Sequence, residues 1–157
     1  MFNFEIVNQE NRYKFIGVIS ETSDFSPILE NDFEIIYVDL VGVERINSVG
    51  VREWVESFRK SNKKYIFHNI PAFIMEQFNM VPGLVPPGSI IDSFYGAYYC
   101  DYCGNETNHR FKVGLNFNAD DREFPETIEC IHCGEEAEAD FDEAFFSIFN
   151  FGFKYED

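Results

Sequence analysis

The sequence predicts an α/β domain followed by a small β-rich appendage, and three observations carry that expectation. Apolar strands alternate with amphipathic helical segments between residues 34 and 95, an order that implies parallel pairing through right-handed crossovers. The pattern Cys-x-x-Cys-Gly occurs twice, at residues 100–104 and 130–134. Charge shifts along the chain: 8 Lys and Arg stand against 13 Asp and Glu in residues 1–99, but 4 stand against 15 in residues 100–157. The 157 residues are 45% hydrophobic and include 19 Phe and 8 Tyr, enough for a core and too apolar for a disordered chain. The expected division is residues 1–96 and residues 97–157.

Phe2 to Val7 reads as a first strand, Asn8 to Asn11 as a polar turn and Tyr13 to Ile19 as a second strand, together a hairpin. Ser23 to Leu29 reads as a short helix or loop with Pro27 near its start. Glu34 to Leu40 is nearly all apolar, as suits a central strand buried on both faces. Gly42 and Glu44-Arg45 read as a loop. Val51, Trp54, Val55 and Phe58 then recur at helical spacing, with Asn47 or Ser48 as the N-cap and Lys60, Lys63 and Lys64 at the favourable C-terminal end. Tyr65 to His68 is a further strand. Pro71 to Met80 is a second helix with Asn69 as its candidate cap, and Val81 to Gly88 is a breaker-rich loop. Ser89 to Tyr99 is β-rich and runs into the first cysteine pair. Phe111, Val113, Leu115 and Phe117 alternate with polar residues as a half-buried strand would, within a hairpin arm expected between the cysteine pairs. Asp142 is placed to cap a last helix from Glu143 to Phe149, whose phenylalanines either pack the appendage or form an exposed aromatic patch.

The chemistry-bearing residues are Cys100, Cys103, Cys130 and Cys133. Two residues between thiols let both sulfurs reach one ion, and the following Gly104 and Gly134 permit the positive φ such a turn often needs. Four thiolates make a closed tetrahedral site, so one structural Zn2+ in a zinc ribbon is expected. Two disulfides, a redox pair and unpaired core cysteines are the alternatives. His109 and His132 are either backup ligands or ordinary surface histidines.

Ile36-Tyr-Val-Asp-Leu-Val-Gly-Val-Glu-Arg-Ile-Asn-Ser-Val-Gly-Val-Arg-Glu-Trp-Val55 resembles the centre of a STAS domain, the fold of bacterial anti-sigma factor antagonists. Asn69-Ile-Pro-Ala-Phe-Ile-Met-Glu-Gln-Phe-Asn-Met80 matches the family's next helix in place and character. The resemblance implies a STAS-like sheet with helices packed largely on one side, covering about residues 1–95. It implies a signalling role without catalysis and a protein partner: an anti-sigma factor, a kinase-like protein or another signalling protein. In the family the first serine of Asp-Ser-Ser-Gly is phosphorylated, and Ser48 takes that position. Asn47 replaces the Asp and Val49 the second Ser. Read physically, a phosphate on Ser48 would sit at a helix N-terminus suited to anions and would repel an acidic partner; without it, Ser48 is a cap. Gly50 either lets a partner backbone approach or fits the tight loop before the helix. Asp39 is expected to bind loop amides after its strand.

The expected function is a non-catalytic signalling or interaction module in a partner-switching or scaffold role. The alternative is a zinc-ribbon adaptor associated with nucleic acid or transcription. The net charge of −16 disfavours nucleic acid and anionic membranes, since both need cations on the protein. No nucleophile–base pair or phosphate loop is evident, and His68, His109 and His132 are scattered, so no enzyme is expected. Met1 to Val7 shows neither a basic segment nor a long apolar run, which predicts no signal peptide and a cytoplasmic protein.

Overall fold

The computed structural model describes residues 3–151. Its class is α/β. Strands β1 (Glu5–Gln9) and β2 (Arg12–Ile19) form an antiparallel hairpin around a two-residue turn in which Glu10 adopts a positive φ of 55°. The hairpin begins at Glu5, and Phe2 lies outside the described residues. The short helix α1 (Ser26–Leu29) leads to β3 (Ile35–Ile46), α2 (Ser48–Phe58) and β4 (Lys64–His68). Helix α3 (Ala72–Met80) and a 3₁₀ turn, Pro82–Leu84, precede the two-residue strand β5 (Ile90–Ile91). The strand order is β1-β2-β3-β4-β5, antiparallel at the first pair and parallel at the other three.

One face of this sheet carries the core. Trp54 of α2 meets Phe15 on β2 and Phe67 on β4, and Phe78 of α3 meets both Trp54 and Phe67. Phe25, just before α1, touches Phe15, Trp54 and Phe58. The three helical segments therefore cover the same face. Trp54 is fully buried, and its indole N–H donates to the Leu84 carbonyl at 2.7 Å, so no buried donor is stranded.

Several sequence expectations change here. β3 is not buried on both faces: Ile36, Val38 and Leu40 are buried, but Ile35 and Val41 are 45% and 49% exposed. With the helices all on one side, its apolar run has only one covered face. The strand also continues through Gly42, Glu44 and Arg45, where a loop is expected. Pairing with β2, which extends to Ile46 through two register shifts, outweighs the local polarity. Lys63 does not serve the end of α2. Its ammonium donates to the carbonyls of Asn31 and Phe33 at 2.7 and 2.6 Å, tying down the loop after α1. Asn69 does not cap α3, whose first turn follows Pro71. Asn69 instead has φ 53° and accepts from the Arg110 guanidinium at 3.0 Å.

The second sheet contains β6 (Ser93–Tyr99), β7 (Glu106–Lys112), β8 (Thr127–Glu129) and β9 (Glu136–Ala139), ordered β7-β6-β9-β8 and antiparallel throughout. The expected hairpin between the cysteine pairs does not form. β7 turns back onto β6 and β9 onto β8, so each Cys-x-x-Cys-Gly closes its own hairpin. Beyond Lys112 the expected alternation ends in a turn held by the Gly114 amide on the Phe117 carbonyl at 2.8 Å. That leaves Leu115 81% exposed. The last helix is of 3₁₀ type, Glu143–Phe151, and Asp142 caps it by accepting from the Ala144 amide at 2.9 Å. Phe145, Phe146, Ile148 and Phe149 are buried beneath the second sheet, among Phe94, Phe111 and Phe117. They pack the appendage and do not form a surface patch.

The β-rich stretch after Gly88 is divided at Asp92. Ile90 and Ile91 pair with β4, whereas residues from Ser93 onward belong to the second sheet, so the strand from Ser93 to Tyr99 spans position 96 without interruption. Asp92 joins both sides: its amide donates to the Phe67 carbonyl at 2.8 Å, and its carbonyl accepts from Val113 at 2.9 Å. Asn79 of α3 forms a second clasp, donating to the Phe145 carbonyl and accepting from the Ile148 amide, both at 2.8 Å. Replacing Asn79 with Ala strands both of those backbone groups. Urea unfolding is expected to show a loss of about 1–3 kcal/mol.

Candidate functional site

The four cysteines converge. Every sulfur lies within 4.8 Å of the others, and the closest pairs run between the two hairpins: Cys100 to Cys133 at 3.5 Å and Cys103 to Cys130 at 3.7 Å. All four are free thiols, so the disulfide alternative does not describe this arrangement. Each hairpin end has the same local bonding. Gly104 N–H donates to the Cys100 carbonyl at 2.8 Å and Gly134 N–H to the Cys130 carbonyl at 2.9 Å. Cys100 and Cys130 donate to the carbonyls of Asn105 and Glu135 at 3.0 and 2.7 Å. Gly104 and Gly134 have φ of 74° and 82°, the left-handed conformation expected from their position after each pair.

A tetrahedral ion with metal–sulfur bonds of about 2.3 Å needs sulfurs about 3.8 Å apart, which the observed separations approach. The surrounding donors suit anionic sulfur: the His132 amide points at Cys130 Sγ at 3.4 Å and the Asn105 side-chain amide at Cys103 Sγ at 3.5 Å. At Cys130 burial opposes ionisation, but the amides of Cys133 and His132 with the Cys103 and Thr107 side chains bring the thiol down to about 6. At Cys133 the Glu135 amide favours the thiolate, yet desolvation and the three other thiols push it up to about 12. The cluster accepts a first negative charge and resists the next, which is what a bound cation would reverse. The four cysteines are thus placed to hold a metal ion.

Neither candidate histidine joins them. His132 places Nε2 3.0 Å from the Glu106 carbonyl oxygen, and His109 packs edge-on against Tyr98 and Phe111. Burial lowers the pKa of His109. His68 lies apart, at the end of β4; burial lowers its pKa, partly offset by Asp39 and Asp92. The contact missed by the sequence reading is Thr107, whose hydroxyl accepts from the Ile131 amide at 3.1 Å and braces the second hairpin from β7. A single threonine 24 positions away carries no local signal.

At the start of α2, Asn47 is the N-cap: its side-chain oxygen accepts from the Gly50 amide at 2.7 Å. Ser48 is the first helical residue and is exposed, so it is not the cap. Gly50 is buried where a Cβ would lie 2.3 Å from the Ile19 carbonyl oxygen, so it serves the close passage of β2 beneath the helix and offers a partner no surface. Asp39 accepts from the Val41 amide at 3.0 Å, a backbone group within β3 and not in the loop expected after it.

No family model, curated protein or solved structure matches the chain. Among the described residues no helix is long and apolar enough to cross a membrane.

Purified protein is expected to carry one metal ion per chain, with thiols that react only after a chelator is added. Metal analysis and thiol titration check both points, and Cys133→Ser should weaken retention of the ion. Because protons compete with metal for thiolate sulfur, affinity should fall as the pH is lowered.

Proposed function

We propose that the chain is a non-catalytic protein-interaction module in which a STAS-like domain carries a zinc ribbon, acting in a partner-switching or scaffold role like an anti-sigma factor antagonist. The carrying observation is Ser48: an exposed hydroxyl at the first position of the 11-residue helix α2, where the resembling family carries its phosphorylated serine. The strand order, with one antiparallel pair followed by three parallel pairs and helices on a single face, supports the same reading.

Because Asn47 supplies the cap, Ser48 is free for another role. A phosphate on its hydroxyl, carrying about two negative charges, would lie beside the first-turn amides, where the helix dipole favours an anion. It would repel acidic partner surfaces without unfolding the helix. A protein kinase and the docking protein it regulates are the partners this reading requires. Zinc is the assigned ion because four soft thiolate ligands in a tetrahedral set suit it, and they leave no open position for a substrate. The acidic C-terminal half argues against the nucleic-acid adaptor reading.

Pull-down with the wild-type chain, Ser48→Ala and Ser48→Asp is expected to recover a protein that the first two retain and the third loses. Equal retention by all three would reduce Ser48 to a helix residue with no switching role.

A further inference from the structure

The outer face of the second sheet has an unusual charge pattern. Residues directly opposite one another share a face, and Tyr99 lies opposite Glu106 on one side and Glu138 on the other. Glu129 lies opposite Glu136, and Thr127 opposite Glu138. Like charges facing each other across strands destabilise a sheet. The cations on this face, Arg110 and Lys112, are directed to the Asn69 side chain and the Asp92 carboxylate. Tyr95, Ala97 and Tyr99 form a stripe up β6 whose Tyr99 end is the acidic one, with Glu106 and Glu138 on either side.

This face runs into a cleft of about 620 Å³ between the two sheets. Its apolar lining comes from Val41 and Val43 of β3, Phe73 at the start of α3, and Tyr95 and Ala97 of β6. Glu76, Glu106 and Asp140 rim it. Val41 is 49% exposed there, midway along β3, next to the buried run of Ile36, Val38 and Leu40. The cleft thus combines an apolar floor with a carboxylate rim that continues onto an acidic sheet face.

We infer that this cleft docks a basic, apolar-centred segment of a protein partner: an extended stretch in which Lys or Arg flanks a Leu-, Ile- or Met-sized side chain. The apolar residue fills the floor between Val41, Phe73 and Ala97, and the flanking cations meet Glu106, Asp140 and Glu138. Glu106, Glu138 and Asp140 then gain cationic partners, and complementary charge raises the rate of encounter. Nucleic acid is the wrong partner for this surface, because its phosphates would meet carboxylates. The inference rests on reading the chain as a protein-binding module, but not on Ser48.

The test is titration of the full-length, metal-loaded, isotope-labelled chain with two short synthetic peptides of equal charge, one alternating Lys and Leu and the other Lys and Ser. The readout is the map of backbone amide shifts at about 0.15 M salt, where screening suppresses nonspecific attraction. The Lys–Leu peptide is expected to shift the amides around Val41, Phe73 and Ala97 and to bind at least about tenfold more tightly than the Lys–Ser peptide. Exposed Val41→Ser and the neutralised Glu106→Gln/Glu138→Gln/Asp140→Asn chain should each lose about tenfold in affinity. Equal binding of the two peptides, shifts centred on the acidic segments 121–123 and 142–143, indifference to the substitutions, or no binding would each overturn the assignment. Ser48→Asp should leave peptide binding unchanged, so this result and the Ser48 pull-down can fail separately.

Discussion

Four sulfur atoms within 4.8 Å of one another set the terms for the C-terminal half of the molecule. Left as neutral thiols, they are weak hydrogen-bonding groups that hold nothing together. Ionised without a cation, they repel. Only a positive ion makes their convergence favourable, and it then ties the end of the β6–β7 hairpin to the end of the β8–β9 hairpin. β6 and β9 pair at only two positions, Tyr98 with Ala139 and Tyr99 with Glu138. The metal site therefore stands where the backbone ladder between the hairpins is thinnest. Ligand bonds to an ion there would add to the burial of Phe94, Phe111, Phe117 and Phe146 beneath the same sheet.

The second sheet is held to the first by a different kind of contact. Asp92 shares its backbone groups between the two sheets, and Ile70 pairs with Phe94 across the junction. Buried Ser93 accepts from the Asn69 amide at 2.8 Å, and Asn79 clasps the final 3₁₀ helix. These bonds satisfy backbone groups that the turn from one sheet to the other would otherwise strand. Beneath them the buried side chains form one continuous apolar cluster from Tyr13 to Phe149. The cleft at Val41 and Phe73 keeps its shape because both of its walls are anchored in that cluster.

Much of this was legible in the chain wherever local chemistry decides structure. The helical spacing of Val51, Trp54, Val55 and Phe58 located α2, and the duplicated cysteine motif located the thiol cluster. Asn47 and Ser48 were both readable as caps, being short polar residues before an apolar helix, and the bond from the Gly50 amide selects Asn47. What failed to show were outcomes of pairing at a distance. Glu44 and Arg45 look like loop residues until β2 is laid beside them. Phe111 to Phe117 looks like one strand because nothing in its alternation reveals that Gly114 to Asn116 turn. Asn69 looks like a cap until Arg110, 41 residues later, claims its side chain. The hairpin partners of the cysteine pairs were misread for the same reason: the spacing fixes which thiols meet, not which strands carry them.

The uneven charge of the sequence gains a location from the fold. An excess of 11 acidic residues over basic ones in residues 100–157 could have been spread evenly over a solvated surface. Instead Glu129 and Glu136 face each other across a ladder, and Glu106 and Glu138 flank the same tyrosine. Solubility alone would be served as well by carboxylates set apart, without the repulsion of direct opposition. Concentrating them on one face, beside an apolar cleft, makes sense if that face spends part of its time against positive charge. The same concentration would hinder a ribbon in approaching nucleic acid. Ser48 lies beside the first sheet, at the start of α2, so the two surfaces are separate features of the fold. On the proposed reading, a partner that touches both would be gripped by the acidic cleft and released by charge at Ser48, with the cysteine cluster at the hairpin ends beside the acidic face.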